Sequence, residues 1–261
     1  MALPSNASDR PSVSVVIPAL NEGMNITALI GEIVDCLTPI TDGFEIIVVD
    51  DGSDDDTGDQ ALTQGTAAAT VRVLRHVRRH GQSAAVLSGV RAAQFEWIVT
   101  LDGDGQNDPA SIPALLSAAV ASSRPGLVGG LRSKRQDSVA KRWASRFANH
   151  LRQAVLDDGC ADSGCGLKVF SRAVFLQLPY FNAMHRFLPA LFKIHGHPTQ
   201  FLPVEHRPRQ GGRSKYGQLK RGAVGFIDLL GVGWLRLRTR VAVAEERTHE
   251  SRPGQSDVQS D

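Results

Sequence analysis

The chain has 261 residues, enough for one large or two small domains with a substantial buried core. With 29 Lys and Arg against 27 Asp and Glu, the formal net charge is +2, so overall charge neither selects nor excludes a polyanionic partner. The three cysteines, Cys36, Cys160 and Cys165, are an odd and sparse set that suits a reducing compartment, and their spacing excludes a CxxC zinc site.

Along the chain, β-branched runs alternate with segments of helical period. "SVSVVIP" (12–18) predicts a strand, and "NEGMNITALIGEIVDCL" (21–37) a helix. "FEIIVVD" (44–50) repeats the strand pattern, followed by a capped helix over "DDTGDQALTQ" (55–64). Then come the strand "VRVLRH", the helix "QSAAVLSGVRAAQ", the strand "WIVTLD", the helix "DPASIPALLSAAVASS" and a fifth strand, "GLVGG". Apolar strands separated by helices predict an α/β fold with a mostly parallel sheet covered on both faces. Beyond Gly130 the pattern changes to a basic helical segment (138–156), the loop-rich stretch "DDGCADSGCGLKVFSRAVF", a helix over "MHRFLPALFKIHGH" and a short strand, "TQFLPVEH".

Ligands of such sheets gather at the carboxyl ends of the strands. Asn21 and Glu22 follow the first strand, "DDGSDDD" the second and "DGDGQND" the fourth. Charge is segregated. Residues 50–59 hold six Asp and no base, whereas 132–152 hold seven Lys or Arg against the single acid Asp137. A second basic cluster comprises Arg207, Arg209, Arg213, Lys215, Lys220 and Arg221. Segregation of this kind also describes an ordinary solvated surface.

In "LDGDGQNDP" (101–109), Asp108 before Pro109 is a good helix start. That role leaves Asp102, Asp104 and Gln106 unexplained. An EF-hand is excluded, because counting from Asp102 puts Asn107 at the glycine position and Pro113 at the bidentate glutamate position. GxxxxGK[ST] and GxGxxG are also absent. A hard divalent cation shared with a diphosphate fits the group, and Gly103 and Gly105 let the backbone come close to phosphates. Asp50 and Asp51, at a strand end, suit hydrogen bonds to a base or ribose. The stretch also reads as a plain strand end with Asp54 or Asp55 capping the next helix.

Four segments, "VVIPALNE", "IIVVDDGSDDDT", "GQSAAVLSGV" and "IVTLDGDGQNDP", together resemble the inverting family-2 glycosyltransferases of GT-A (Rossmann-like) fold. Four later segments, "GGLRSKRQDSVAKRWASRFAN", "DSGCGLKVF", "MHRFLPAL" and "HRPRQGGRSKYG", are similar to the dolichol- and polyprenyl-phosphate sugar synthases of that family, such as dolichol-phosphate mannosyltransferases. The likeness runs from about Val13 to Tyr216.

The resemblance implies transfer of a sugar from a GDP- or UDP-sugar to a polyprenyl phosphate with Mg2+ or Mn2+. It places Pro18, Asn21, Glu22, Asp50, Asp51, Asp102 and Gly103 at the nucleotide sugar, and Asp102, Asp104 and Gln106 at the metal. Asp104, Asp162 and Arg132 are implied at the reacting centre. Arg132, Arg146, Arg207, Arg209, Ser214 and Lys215 are implied near the phosphates or the acceptor. His185 and Arg186 either face the phosphates or begin a helix packed by Phe187, Leu188 and Leu191. This chain departs from the family pattern in reading "RRHGQ" where many relatives have Arg-Asn before the Gly-Gln step.

The rival readings are a family-2 transferase with a saccharide or protein acceptor, and a non-catalytic nucleotide-sugar binder. Many relatives carry paired transmembrane helices after the catalytic domain. Here "GAVGFIDLLGVGWL" (222–235) is too short for a span of roughly 20 apolar residues. The expected organisation is a disordered 1–11, a catalytic domain over 12–216, an amphipathic membrane-surface helix over 217–240 and a disordered 241–261. No signal peptide is read, and the expected location is the cytoplasmic face of the inner membrane. A separate membrane-anchoring partner is admitted and nucleic acid is not.

Overall fold

In the computed structural model, which describes residues 10–65, 69–132, 151–208 and 218–242, seven strands form one sheet in the order β3-β2-β1-β4-β6-β5-β7. β1 (Ser12–Ala19), β2 (Gly43–Asp50), β3 (Thr70–Arg75) and β4 (Trp97–Thr100) run parallel, as the β-branched runs separated by helices predict. β5 (Leu127–Arg132) is parallel to β7 (Thr199–Val204). Between β4 and β5 lies β6 (Lys168–Ser171), antiparallel to both. Sequence pattern gives no sign of β6, because four buried residues show neither a period nor flanking turn residues.

The helices are α1 (Gly23–Leu37), α2 (Thr57–Leu62), α3 (Gln82–Ala92), α4 (Ile112–Val120), α5 (151–156), α6 (Arg172–Gln177), α7 (Leu188–Ile194) and α8 (Gln218–Arg238). Successive strand residues point to opposite faces, and this divides the core in two. Val13, Val15, Ile17, Ile46 and Val48 pack under α1 and α4. Val16, Ile47, Val49, Ile98 and Phe170 pack against α3, α6, α7 and α8. α1 buries Ile26, Leu29, Ile30, Ile33 and Leu37, a spacing of three and four that gives a helix one apolar stripe.

α2 is shorter than the predicted 55–64, and its first turn is held by Asp55, whose Oδ1 accepts from Thr57 N at 3.1 Å. Asp108 starts its helix as expected: its Oδ1 accepts from Ala110 N at 3.0 Å, ahead of a 3-10 turn (Pro109–Ser111) that runs into α4. Of the predicted basic helix, only 151–156 lie within the described residues, and the tails expected to be disordered lie largely outside them.

Candidate active site

The loop after β2 is built on its own carboxylates. Asp51 is 4% exposed. Its Oδ1 accepts from His80 N at 2.8 Å and sits 2.7 Å from His76 Nδ1, and its Oδ2 accepts from Gly81 N at 2.7 Å. One side chain therefore fixes the whole 76–81 turn ahead of α3. Asn21, in the left-handed region at φ 56°, ties the β1 loop to this one: its N donates to Ser53 Oγ and its Oδ1 accepts from Asp54 N. Glu22 N donates to Thr57 Oγ1 at 2.9 Å. Asp50 is fully buried, with Oδ1 accepting from Ser53 N at 2.7 Å and Oδ2 3.6 Å from Arg75 Nε. That Oδ2 has no hydrogen-bond partner among the described residues.

A different arrangement follows β4. A cleft of about 300 Å³ opens between the end of β4, the β6 side of the sheet, α3 and the turn before α7. Asp102, Arg132, Asp162, Lys168, His185 and Arg186 supply its charge and most of its polarity. Asp102 accepts from Gln82 Nε2 at 2.7 Å. Burial pushes the Asp102 carboxyl up, the neighbouring Asp104 carboxylate adds to this, and Lys168 and Arg132 oppose it. The approach of the 166 backbone to Asp102 requires glycine, since a Cβ at Gly166 would lie 2.5 Å from the carboxylate. The turn at Gly103 rests on the end of β1, where a Cβ would make ordinary contact 3.4 Å from Ala19 Cβ and Pro18 O.

Arg132 and Asp162 form a bidentate pair, Nε to Oδ2 at 2.6 Å and Nη2 to Oδ1 at 2.7 Å. The Asp162 hydrogen bonds hold the guanidinium pKa above its usual value. The loop that carries Asp162 is tied to α5. Arg152 bonds Asp158 and donates to Cys160 O at 3.1 Å, while Gln153 Nε2 donates to the same carbonyl at 2.7 Å. Arg152 therefore belongs to the scaffold and not to a solvated basic face. The Cys160 and Cys165 thiols are pushed up by burial, in keeping with ordinary thiols.

Lys168 and Gln82 are cleft residues that sequence reasoning passed over. Lys168 sits on β6, in register with Thr100, and is 5% exposed, with its Nζ bonded to Cys165 O. A lysine inside an apolar four-residue run was the available signal. His185 and Arg186 line the cleft, and Phe187, Leu188 and Leu191 behind them are buried, as the helix-start reading has it.

The remaining expected residues are spread around this centre. Pro18, Asn21, Glu22, Asp50 and Asp51 lie at the ends of β1 and β2, and β1 pairs with β4, the strand that leads into Asp102. Asp104 Oδ1 accepts from Gln106 N at 3.2 Å. The backbone of Gln106 and Asn107 pairs with that of Arg207 and His206, which brings the end of β7 alongside the acidic turn. The Arg207 guanidinium is engaged by Glu32 of α1, at 2.9 and 2.7 Å, and by Asp108 at 2.9 Å. Arg146, Arg209, Ser214 and Lys215 lie outside the described residues.

Residues 14–178 match the family described as glycosyl transferase family 2. The chain belongs to that family. This family-2 chain is 34% identical over 210 residues to an undecaprenyl-phosphate 4-deoxy-4-formamido-L-arabinose transferase of Edwardsiella ictaluri, and 33% identical to that of Serratia proteamaculans. Each match covers 80% of this chain and 64% of the relative, so the chain spans less than two thirds of their length.

Among solved structures, the GT-A fold is shared with glucosyl-3-phosphoglycerate synthase from Mycobacterium tuberculosis. Its complex with Mn2+, UDP and glucosyl-3-phosphoglycerate aligns at TM-score 0.66 and 21% identity, covering 87% of this chain and 80% of that one. The complex with Mg2+ and UDP aligns at 0.65 and 21%, covering 87% and 79%.

Proposed function

We propose that this chain transfers a sugar from a nucleoside-diphosphate sugar to a polyprenyl phosphate, with inversion at the anomeric carbon and with Mg2+ or Mn2+. The observation that carries the reading is the cleft itself, where the Asp102 carboxylate at a strand end shares one cavity with Arg132, Lys168 and Arg186. That arrangement suits two anionic reactants held together. Relatives named for undecaprenyl phosphate and a sugar support the choice of acceptor.

The donor set fits a hard cation. Burial first, and then repulsion from Asp104, push the Asp102 carboxyl up. Among the described residues no group of three or more His, Cys, Asp or Glu encloses an ion. Diphosphate oxygens and water would therefore complete a shell begun by Asp102, Asp104 and Gln106. A bound ion would offset charge on the departing diphosphate.

A phosphate monoester is already anionic at neutral pH, so the reaction needs no strong base. An acceptor phosphate oxygen bonds to the anomeric carbon as the bond from that carbon to the diphosphate oxygen breaks, and the electron pair leaves with the nucleoside diphosphate. The chain's task is to align two anions and stabilise the charge that shifts between them. Arg132 and Lys168 do so as fixed cations. Both oxygens of Asp162 are occupied by Arg132, which suits orienting that guanidinium.

α8 supplies the approach to a lipid. Val224, Ile227, Leu230, Trp234, Leu237 and Val241 are each more than half exposed and recur at intervals of three and four, while Leu229 and Val232 are buried on the inner side. Among the described residues no helix is long and apolar enough to cross a membrane. The exposed stripe, with Arg238 and Arg240 beside it, suits a helix lying on an anionic bilayer surface. Replacing Ile227 and Leu230 with Glu should abolish co-sedimentation with phosphatidylglycerol vesicles. Unchanged sedimentation would remove this role.

The decisive experiment incubates the protein with a panel of labelled nucleotide sugars and undecaprenyl phosphate, with Mg2+ or Mn2+ and then with chelator. Organic-extractable label that disappears with chelator is expected. Label confined to a saccharide or protein acceptor, or binding without transfer across the panel, would overturn the proposal.

A further inference from the structure

Ser83 is fully buried on α3, one residue after the Gln82 that holds Asp102. Its hydroxyl meets His185 twice. It accepts from the His185 backbone N at 3.3 Å and lies 2.7 Å from His185 Nδ1. A serine hydroxyl has one proton to give. Its oxygen has two lone pairs and could accept from both the amide and an Nδ1–H, but the buried hydroxyl proton would then have no acceptor. Among the described residues His185 Nδ1 is the only acceptor within its reach, so the proton goes to Nδ1. A neutral imidazole that accepts at Nδ1 carries its proton on Nε2. Burial first, and then Arg186 and Lys168, lower the His185 pKa from 6.5 to about 3, so the ring is neutral at working pH. With Nδ1 taken by Ser83, Nε2 is the nitrogen left for the cleft that His185 lines.

From this geometry we infer that Ser83 is a positioning residue: it locks His185 as an Nε2–H donor that, with Lys168 and Arg186, binds the phosphate of the acceptor. The inference rests on the acceptor being a phosphate monoester, as proposed above. A donor fixed in one tautomer discriminates by geometry as well as by charge. It offers a hydrogen bond to a phosphate oxygen and none to a cation, and it adds no further positive charge to Arg132, Lys168 and Arg186 in the cleft.

The test uses the full chain with 15N-labelled histidine. In the wild type, His185 should be the Nε2–H tautomer, and added inorganic phosphate should shift its Nε2 resonance. Ser83→Ala should give a mixture of tautomers and a weakened response to phosphate. In transfer assays, Ser83→Ala should raise KM for a short-chain prenyl phosphate about tenfold, the size of one charge-assisted hydrogen bond, with kcat and the KM for nucleotide sugar within twofold. Ser83→Thr, which keeps the hydroxyl, should restore the wild-type tautomer. In a His185→Gln background, Ser83→Ala should have no further effect on the acceptor KM, whereas a purely structural Ser83 would add its own loss. An Nδ1–H ring in the wild type, or an Nε2 resonance indifferent to phosphate, overturns the inference. So does a Ser83→Ala variant whose donor and acceptor KM rise together. Should the wild type transfer nothing to any prenyl phosphate, the proposed function falls, and the resonance measurements with inorganic phosphate still decide the role of Ser83.

Discussion

The two acidic loops of this chain have similar composition and opposite fates. After β2, most of the buried carboxylate oxygens are taken up by the fold: Asp51 accepts two backbone N–H groups and pairs with His76, Asp55 accepts from the first amide of α2, and Asp50 accepts from Ser53 N, with its Oδ2 left without a hydrogen-bond partner among the described residues. After β4, Asp108 alone serves as a cap. Asp102 instead lies in a cleft beside Lys168 and Arg132, and repulsion from Asp104 adds to the burial that raises its pKa. The difference lies in what faces each loop. Backbone amides of the 76–81 turn face Asp51 and satisfy it. Side-chain cations delivered by β5, β6 and the turn before α7 face the loop after β4, and these leave room for a ligand. Acidic density alone does not mark a ligand site. A carboxylate left facing countercharge across an open volume does.

The largest effect that would test this contrast belongs to Asp104. Asp104→Asn removes charge and leaves shape, so sugar transfer should fall by roughly 10³ or more while the thermal midpoint stays put. Transfer assays set beside thermal denaturation decide it, and retained activity would put the metal site elsewhere. The converse holds for Asp51. Asp51→Ala takes the buried carboxylate acceptor from the amides of His80 and Gly81 in a largely exposed turn, and the loss of two charge-assisted hydrogen bonds costs about 3 kcal/mol in urea unfolding. An unchanged midpoint would mean that the loop after β2 is not built on its own carboxylates, and the contrast would collapse.

How much of this was readable in advance follows from the range of the interactions. The order of β1 to β4 and the cap at Asp108 come from local period and local hydrogen bonds, and both were legible. β6 was not, because the four-residue run "KVFS" owes its strand to β4 and β5 on either side. With β6 unseen, Lys168 had no place in the site. The likeness to family members named Asp102, Asp104, Arg132 and Asp162 but could not foresee that both Asp162 oxygens are taken by Arg132, or that Glu32 of α1 and Asp108 engage Arg207. Those pairings join residues far apart in sequence, and only the fold brings them together.

The smallest expected effect concerns His185, the one histidine among the described residues of the cleft, and it tests whether the cation-rich side is organised as described. His185 is neutral in the folded protein, with its pKa lowered from 6.5 to about 3 by burial and then by Arg186 and Lys168. The unfolded chain takes up the proton near pH 6.5, and the folded chain only near pH 3. Between those values the unfolded state holds more protons, so stability falls as pH falls, by up to about 1.4 kcal/mol per pH unit. Above pH 6.5 the contribution is fully present. His185→Gln has nothing to titrate there. Its unfolding free energy, measured in urea at pH 7.5, 6.0 and 5.0, should decline less steeply than the wild type by about one proton's worth below pH 6. Equal slopes would show that the folded protein protonates His185 as readily as the unfolded chain does. A charged ring could not accept a proton from Ser83, and the cation-rich wall of the cleft would then need a different account.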